Sequence, residues 1–138
     1  MGDRLCATLP HEAQRLVAAA TLLSPYVPML FMGEEYSEPA PFQFFVSHSD
    51  QSLIDCVRQG RREEFSMFNC IEAPDAQDPE TFERCKIDPM RRFSASHART
   101  FRWYRDLIAL RKRNPSLGVV ARKDATSEAL QGDALALR

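Results

Sequence analysis

The chain has 138 residues, 44 % of them hydrophobic and 27 % charged, the size and composition of about one ordinary globular domain, which excludes a fibre or a disordered tail. Its 18 basic and 19 acidic residues are spread along the sequence and leave a formal net charge of −1, so nothing electrostatic points to nucleic acid or an anionic membrane as partner. The apolar stretch Val17–Phe31 is broken by Ser24-Pro25 and Pro28, short of the roughly 20 residues that cross a bilayer, and Met-Gly-Asp-Arg-Leu lacks a signal-peptide core, so a cytoplasmic protein is expected.

Thr8-Leu9-Pro10-His11-Glu12 reads as a helix start, with proline where its missing N–H is not needed and an acid beside the positive end of the dipole. The helix is predicted to run to about Leu23. Ala13, Leu16, Val17, Ala20 and Leu23 form its inner face, and Ser24-Pro25 stops it. Tyr26-Val27 then lead into Pro28–Met32, apolar without alternation, which predicts a strand covered on both faces as in a parallel sheet. Gly33-Glu34-Glu35-Tyr36 follows at its carboxyl end. In barrels and doubly wound sheets that end is the active-site face, which makes Glu34, Glu35 and Tyr36 the first candidates for a site.

Residues 37–96 form an excursion far longer than the usual connection between strand and helix. Phe42, Phe44 and Phe45 offer flat apolar surface there, either for a ligand or for packing the loop itself. Asp50 is expected to cap a helix with Leu53, Ile54 and Val57 inside, ending near Gly60. Glu72–Pro79, with two prolines and its acids, is expected to be irregular.

A second strong helix is predicted over His97–Arg113, capped by Ser94 or Ser96, with Phe101, Tyr104, Leu107 and Ile108 as its buried stripe and Asn114-Pro115 as its end. The period then changes to that of strands. Gly118–Ala121, Ser127–Leu130 and Ala134–Arg138 surround the turn Gln131-Gly132-Asp133 and suggest the opening of a small β domain. His11 and His97 are expected on the surface, and the basic clusters Arg61-Arg62 and Arg111-Lys112-Arg113 solvated near helix ends. Cys6, Cys56, Cys70 and Cys85 lack metal-ligand spacing, so reduced thiols, no metal site and no cofactor are expected.

This is α/β patterning with only one strand of the buried kind. Burying Met29, Leu30, Phe31 and Met32 contributes roughly 1.5–3 kcal/mol each. Without sister strands on either side, that is forfeited. The isolated chain is therefore expected to be marginal and to associate.

The run Leu23-Ser24-Pro25-Tyr26-Val27-Pro28-Met29-Leu30-Phe31-Met32-Gly33-Glu34-Glu35-Tyr36, with Glu38-Pro39-Ala40-Pro41-Phe42 after it, resembles the end of the catalytic barrel in the α-amylase superfamily. Phe44–Asp50, Arg58–Phe65, Pro74–Phe82 and Tyr104–Arg111 extend the resemblance over nearly the whole chain and narrow it to the malto-oligosyltrehalose trehalohydrolase family. The resemblance implies that residues 1–116 are the end of a (β/α)8 barrel with a long loop insertion at 37–96. Glu12–Leu23 would be its seventh helix, Met29–Met32 its eighth strand and His97–Arg113 its eighth helix. Residues 117–138 would then begin a C-terminal β domain.

Family members hydrolyse the α-1,4-glucosidic bond beside the terminal trehalose unit with retention, which needs two carboxylates about 5–5.5 Å apart. By resemblance these lie upstream of Met1, so the chain is expected to contain no catalytic residue and to be inactive alone. Glu34, Glu35, Tyr36 and Phe42 become expected contacts to a malto-oligosaccharide or trehalose-capped glucan. Ser37 stands where the family has glycine, a costly exchange if that position needs positive φ. A non-catalytic α-glucan-binding or partner-docking module, and a fragment of a glucan branching enzyme, are the competing readings.

Overall fold

The structure, a computed structural model, describes residues 2–67, 74–118, 125–132 and 134–137. The chain divides into two units, one of Met1–Thr8 with Pro39–Asp88 and the other of Leu9–Glu38 with Pro89–Arg138.

The second unit is built on helices α2 (His11–Leu23) and α5 (Ala95–Arg113), both where the periodicity places them. Pro10 is the N-cap residue of α2, in extended conformation, and not part of its first turn. The two helices meet through Ala18 and Leu22 on one side and Tyr104 and Leu107 on the other, flanked by Ala19, Leu23, Trp103 and Ile108. On α5 the expected Tyr104, Leu107 and Ile108 take part, but Trp103 stands in the seam in place of the expected Phe101, and the stripe on α2 departs further. Leu16 is 71 % exposed and Val17 and Ala20 are exposed as well. Small alanines at 18 and 19 let α2 approach the bulky Trp103 and Tyr104, and volume complementarity decides the seam where apolar periodicity is degenerate.

Arg111 fixes the end of α2. Its guanidinium donates to the carbonyls of Leu22 and Ser24 at 2.6 Å and of Tyr26 at 2.8 Å. A helix leaves its last carbonyls without partners, and a cation there also offsets the dipole. The expected solvated role therefore fails for Arg111, which reaches across to the neighbouring helix.

Pro28–Met32 is not a strand. No strand pairs with it among the described residues, and Met29, Leu30, Phe31 and Met32 stand exposed, Met29 at 89 %. A strand is defined by its ladder, and the one ladder described is the hairpin of β1 (Ser127–Ala129) and β2 (Leu135–Leu137), antiparallel with Glu128 opposite Ala136. Gly132 makes its turn at φ +77, as the Gln-Gly-Asp sequence implies. The strand expected over Gly118–Ala121 falls mostly outside the described residues.

The first unit holds the short α1 (Leu5–Thr8), α3 (Gln51–Met67) and α4 (Pro79–Cys85). Asp50 caps α3 as expected, its Oδ1 accepting from the backbone N–H of Ser52 at 2.8 Å and of Leu53 at 3.1 Å. The helix does not end at Gly60. It continues to Met67, carried by side-chain pairs such as Gln59 to Glu63 and Arg61 to Glu64, and it buries Phe65. Gly60 faces open space, where glycine costs helix stability about 1 kcal/mol and no more.

The region expected to be irregular is so over 74–78, but Pro79 opens α4 behind an Asp78 cap whose carboxylate accepts from Glu80 N at 2.9 Å. Arg58 forks onto Asp75 with contacts of 2.8–3.1 Å and so links α3 to this loop. No helix of the described residues is long and apolar enough to cross a membrane.

Candidate functional site

Gly33 adopts φ +90, and the chain folds over it into a single 3-10 turn, Glu34–Tyr36, held by Ser37 N and Glu38 N donating to the carbonyls of Glu34 and Gly33. The turn lies against α5. Glu34 receives the Tyr104 hydroxyl at 3.2 Å on one carboxylate oxygen and the Phe31 N–H at 3.0 Å on the other. Both of its oxygens are thus engaged. Glu35 receives the Gly33 N–H at 2.9 Å on Oε2, and its Oε1 stays available. Burial, then the Glu34 charge and its hydrogen bond, hold the Tyr104 phenol well above its ordinary value, so its hydroxyl keeps the proton it shares with Glu34.

Tyr36 is 3 % exposed and belongs to the packing of the turn, not to its open face. Its carbonyl takes a hydrogen bond from His97 Nδ1 at 2.7 Å, which requires the proton on that nitrogen. His97 is therefore not the free surface residue the sequence suggests. Ser37 has φ 58 and ψ 51, the left-handed conformation that glycine adopts more easily, at a cost of about 1–2 kcal/mol. Its hydroxyl donates to Gln14 at 2.9 Å and stands 3.3 Å from that of Thr100, interactions glycine cannot make. Glu38 is fully buried with Arg91 Nε at 3.7 Å. Two acids with some exposure therefore sit on a turn braced from α2 and α5.

Phe42 lies in the first unit. Its N–H donates to Gly2 O at 2.7 Å, and its half-exposed ring lines a small pocket with Gly2, Phe44, Arg61 and Phe65. Gly2 is required there, since at φ +78 a Cβ would stand 2.5 Å from the Phe42 carbonyl oxygen. Phe45 and Phe82 pack edge to face at 5.0 Å, and the Arg61 guanidinium lies 5.1 Å from the Phe44 ring and 4.5 Å from that of Phe65. The aromatic loop thus packs largely on itself. Gln77 organises the neighbouring stretch of loop, accepting from His48 N and donating to His48 O.

The sequence places Tyr104 in the stripe of α5 without marking it as the partner of Glu34. A tyrosine at a buried helical position needs an acceptor for its hydroxyl, and that was the available signal. Among the described residues no group of three or more His, Cys, Asp or Glu side chains is placed to hold a metal ion, and Cys6, Cys56 and Cys85 form no disulfide. Cys70 lies outside the described residues.

No protein-family model matches the chain. It is 43 % identical over 129 residues to the malto-oligosyltrehalose trehalohydrolase of Rhizobium sp. strain M-11, a match covering 92 % of this chain and 22 % of that protein. It is 46 % identical over 119 residues to the protein of that name from Mycobacterium tuberculosis H37Rv, covering 85 % of this chain and 20 % of the other. A 1.4 Å crystal structure of a Salmonella typhimurium protein described as a candidate alpha amylase superposes with a TM-score of 0.83 at 36 % identity, over 93 % of this chain and 22 % of that one. The chain is thus similar, in sequence and in structure, to malto-oligosyltrehalose trehalohydrolases and to an alpha-amylase-type protein. It spans about a fifth of the length of the curated relatives it matches.

Proposed function

We propose that this chain is the C-terminal portion of the catalytic barrel, with the start of a β domain, of a retaining glycosidase that releases trehalose by cutting the α-1,4 bond next to the trehalose end of malto-oligosyltrehalose. The observation that carries this reading is the 43 % identity over 92 % of the chain to an enzyme of that name. Within it, the two catalytic carboxylates come from the part of the enzyme this chain does not span. Glu34 and Glu35 do not substitute for them. A retaining pair must flank one bond about 5–5.5 Å apart with a free face each, and Glu34 has both oxygens committed to Tyr104 and to Phe31 N–H. The chain by itself is inactive.

Glu34, Glu35 and Tyr36 on the second unit, and separately Phe42 on the first, are glucan contacts in this proposal, with unequal parts. Glu35 offers Oε1 to a sugar hydroxyl, Phe42 offers an exposed ring face, and Glu34 and Tyr36 hold the turn that presents Glu35. The substrate is a trehalose-capped malto-oligosaccharide, and no cofactor is called for. A chimera in which this chain replaces the matching 129 residues of the Rhizobium relative tests the reading. Trehalose release by the chimera and none by the chain alone is expected. A folded, inactive chimera, or hydrolysis by the chain alone, overturns it.

A further inference from the structure

Outside the turn just described, the second unit carries an open cleft of about 260 Å³ lined from α2 by His11, Glu12 and Arg15 and from α5 by Arg99, Arg102, Trp103 and Asp106. We propose that it binds a phosphate monoester. The acids at its rim, Glu12 and Asp106, are paired, with Arg15 at 3.4 Å and Arg105 at 3.4 Å. Arg99 and Arg102 are exposed and have no carboxylate partner among the described residues. They stand three apart on α5, where like charges on one helix face destabilise each other unless something of opposite sign lies between them.

The third guanidinium is fixed in advance. Arg15 lies 4.4 Å over the Trp103 ring and is bonded to Glu12, while the indole N–H donates to the Arg15 carbonyl at 3.1 Å. Ordering an arginine costs side-chain entropy, and here the fold has met that cost before any ligand arrives. Planar guanidiniums match phosphate oxygens in pairs, so Arg99 and Arg102 grip a dianion, with the Arg15–Glu12 pair held beside them. The indole edge forms an apolar wall for the organic part of an ester.

Trp103 is the one tryptophan of the chain, so its fluorescence reports on this cleft directly. In phosphate-free buffer the full chain is titrated with glycerol 2-phosphate, with inorganic phosphate, and with sodium chloride at matched ionic strength. A saturable change with the ester, tighter than with inorganic phosphate, is expected. The R99Q/R102Q variant should weaken it at least about tenfold, whereas Arg113→Gln should leave it unchanged. Broadening of the glycerol 2-phosphate phosphorus resonance by the wild type but not by R99Q/R102Q is the second readout, independent of the indole. Equal binding by R99Q/R102Q, a chloride titration that reproduces the response, or a response to inorganic phosphate alone (an adventitious ion only) overturns the proposal.

Discussion

Two neighbouring stretches of the second unit, Val27–Met32 and Gly33–Glu38, have opposite fates. The second closes on itself. Its backbone bonds, Tyr104, His97, Ser37 and Gln14 supply partners within one unit, and Tyr36 and Glu38 are buried. The first leaves Val27, Met29, Leu30, Phe31 and Met32 all exposed, Met29 at 89 %. Polar turns can be completed by a few local hydrogen bonds, whereas an apolar run is buried only by a sheet or helices packed around it.

The sharpest way to break this comparison is to truncate each kind of apolar residue. Leu22→Ala, in the seam between α2 and α5, should lose about 2–5 kcal/mol in a denaturant titration, and Met29→Ala less than about 0.5 kcal/mol. Similar losses at both would mean that the exposed run is packed. Arg111→Ala should follow at about 1–3 kcal/mol, since three carbonyls lose their donor, with little recovery in Arg111→Lys because an ammonium lacks the fork.

Tyr104→Phe should cost about 1–2 kcal/mol and change the alkaline limb. The folded phenol titrates above its ordinary 10, so its contribution is complete below that pH and is lost as pH rises past it. Removing the hydroxyl should flatten that loss in unfolding curves taken above pH 10. Ser37→Gly should be nearly neutral, relief of the left-handed backbone offsetting the lost hydroxyl, while Ser37→Ala keeps the strain and should lose about 1 kcal/mol.

The smallest effect belongs to the exposed carboxylates of the first unit. The Ser52 hydroxyl, with the N–H groups of Leu53 and Ser52, lowers Asp50, and the Arg58 fork lowers Asp75. Their stabilisation is present above the ordinary value of 3.8 and is lost as pH falls through the lowered ones. An Asp50→Asn/Asp75→Asn variant should unfold with a shallower acid limb in a circular dichroism titration.

The residues that made the fold legible are those with a local physical signature. Ser24-Pro25 ends α2, Asp50 caps α3, Gly132 turns the hairpin, and the departure to serine at 37 falls on a left-handed position. Asp78-Pro79-Glu80 carried the same kind of signal for α4, masked by the prolines around it. What was not legible depends on distant partners. Ala18-Ala19-Ala20 is apolar all round, so only the bulk of Trp103 and Tyr104 selects the buried face. The candidate turn was found from Gly33-Glu34-Glu35-Tyr36, but the division of labour between Glu34 and Glu35 is set by Tyr104, 70 residues away.

We propose that Val27–Met32 is a surface that further protein covers. Sedimentation velocity of the full chain over a wide concentration range, paired with thermal unfolding at each concentration, tests it most directly. Association that grows with concentration, with a transition that moves with it, is the predicted result. A monomer at every concentration, unfolding in one sharp and concentration-independent transition, would contradict it.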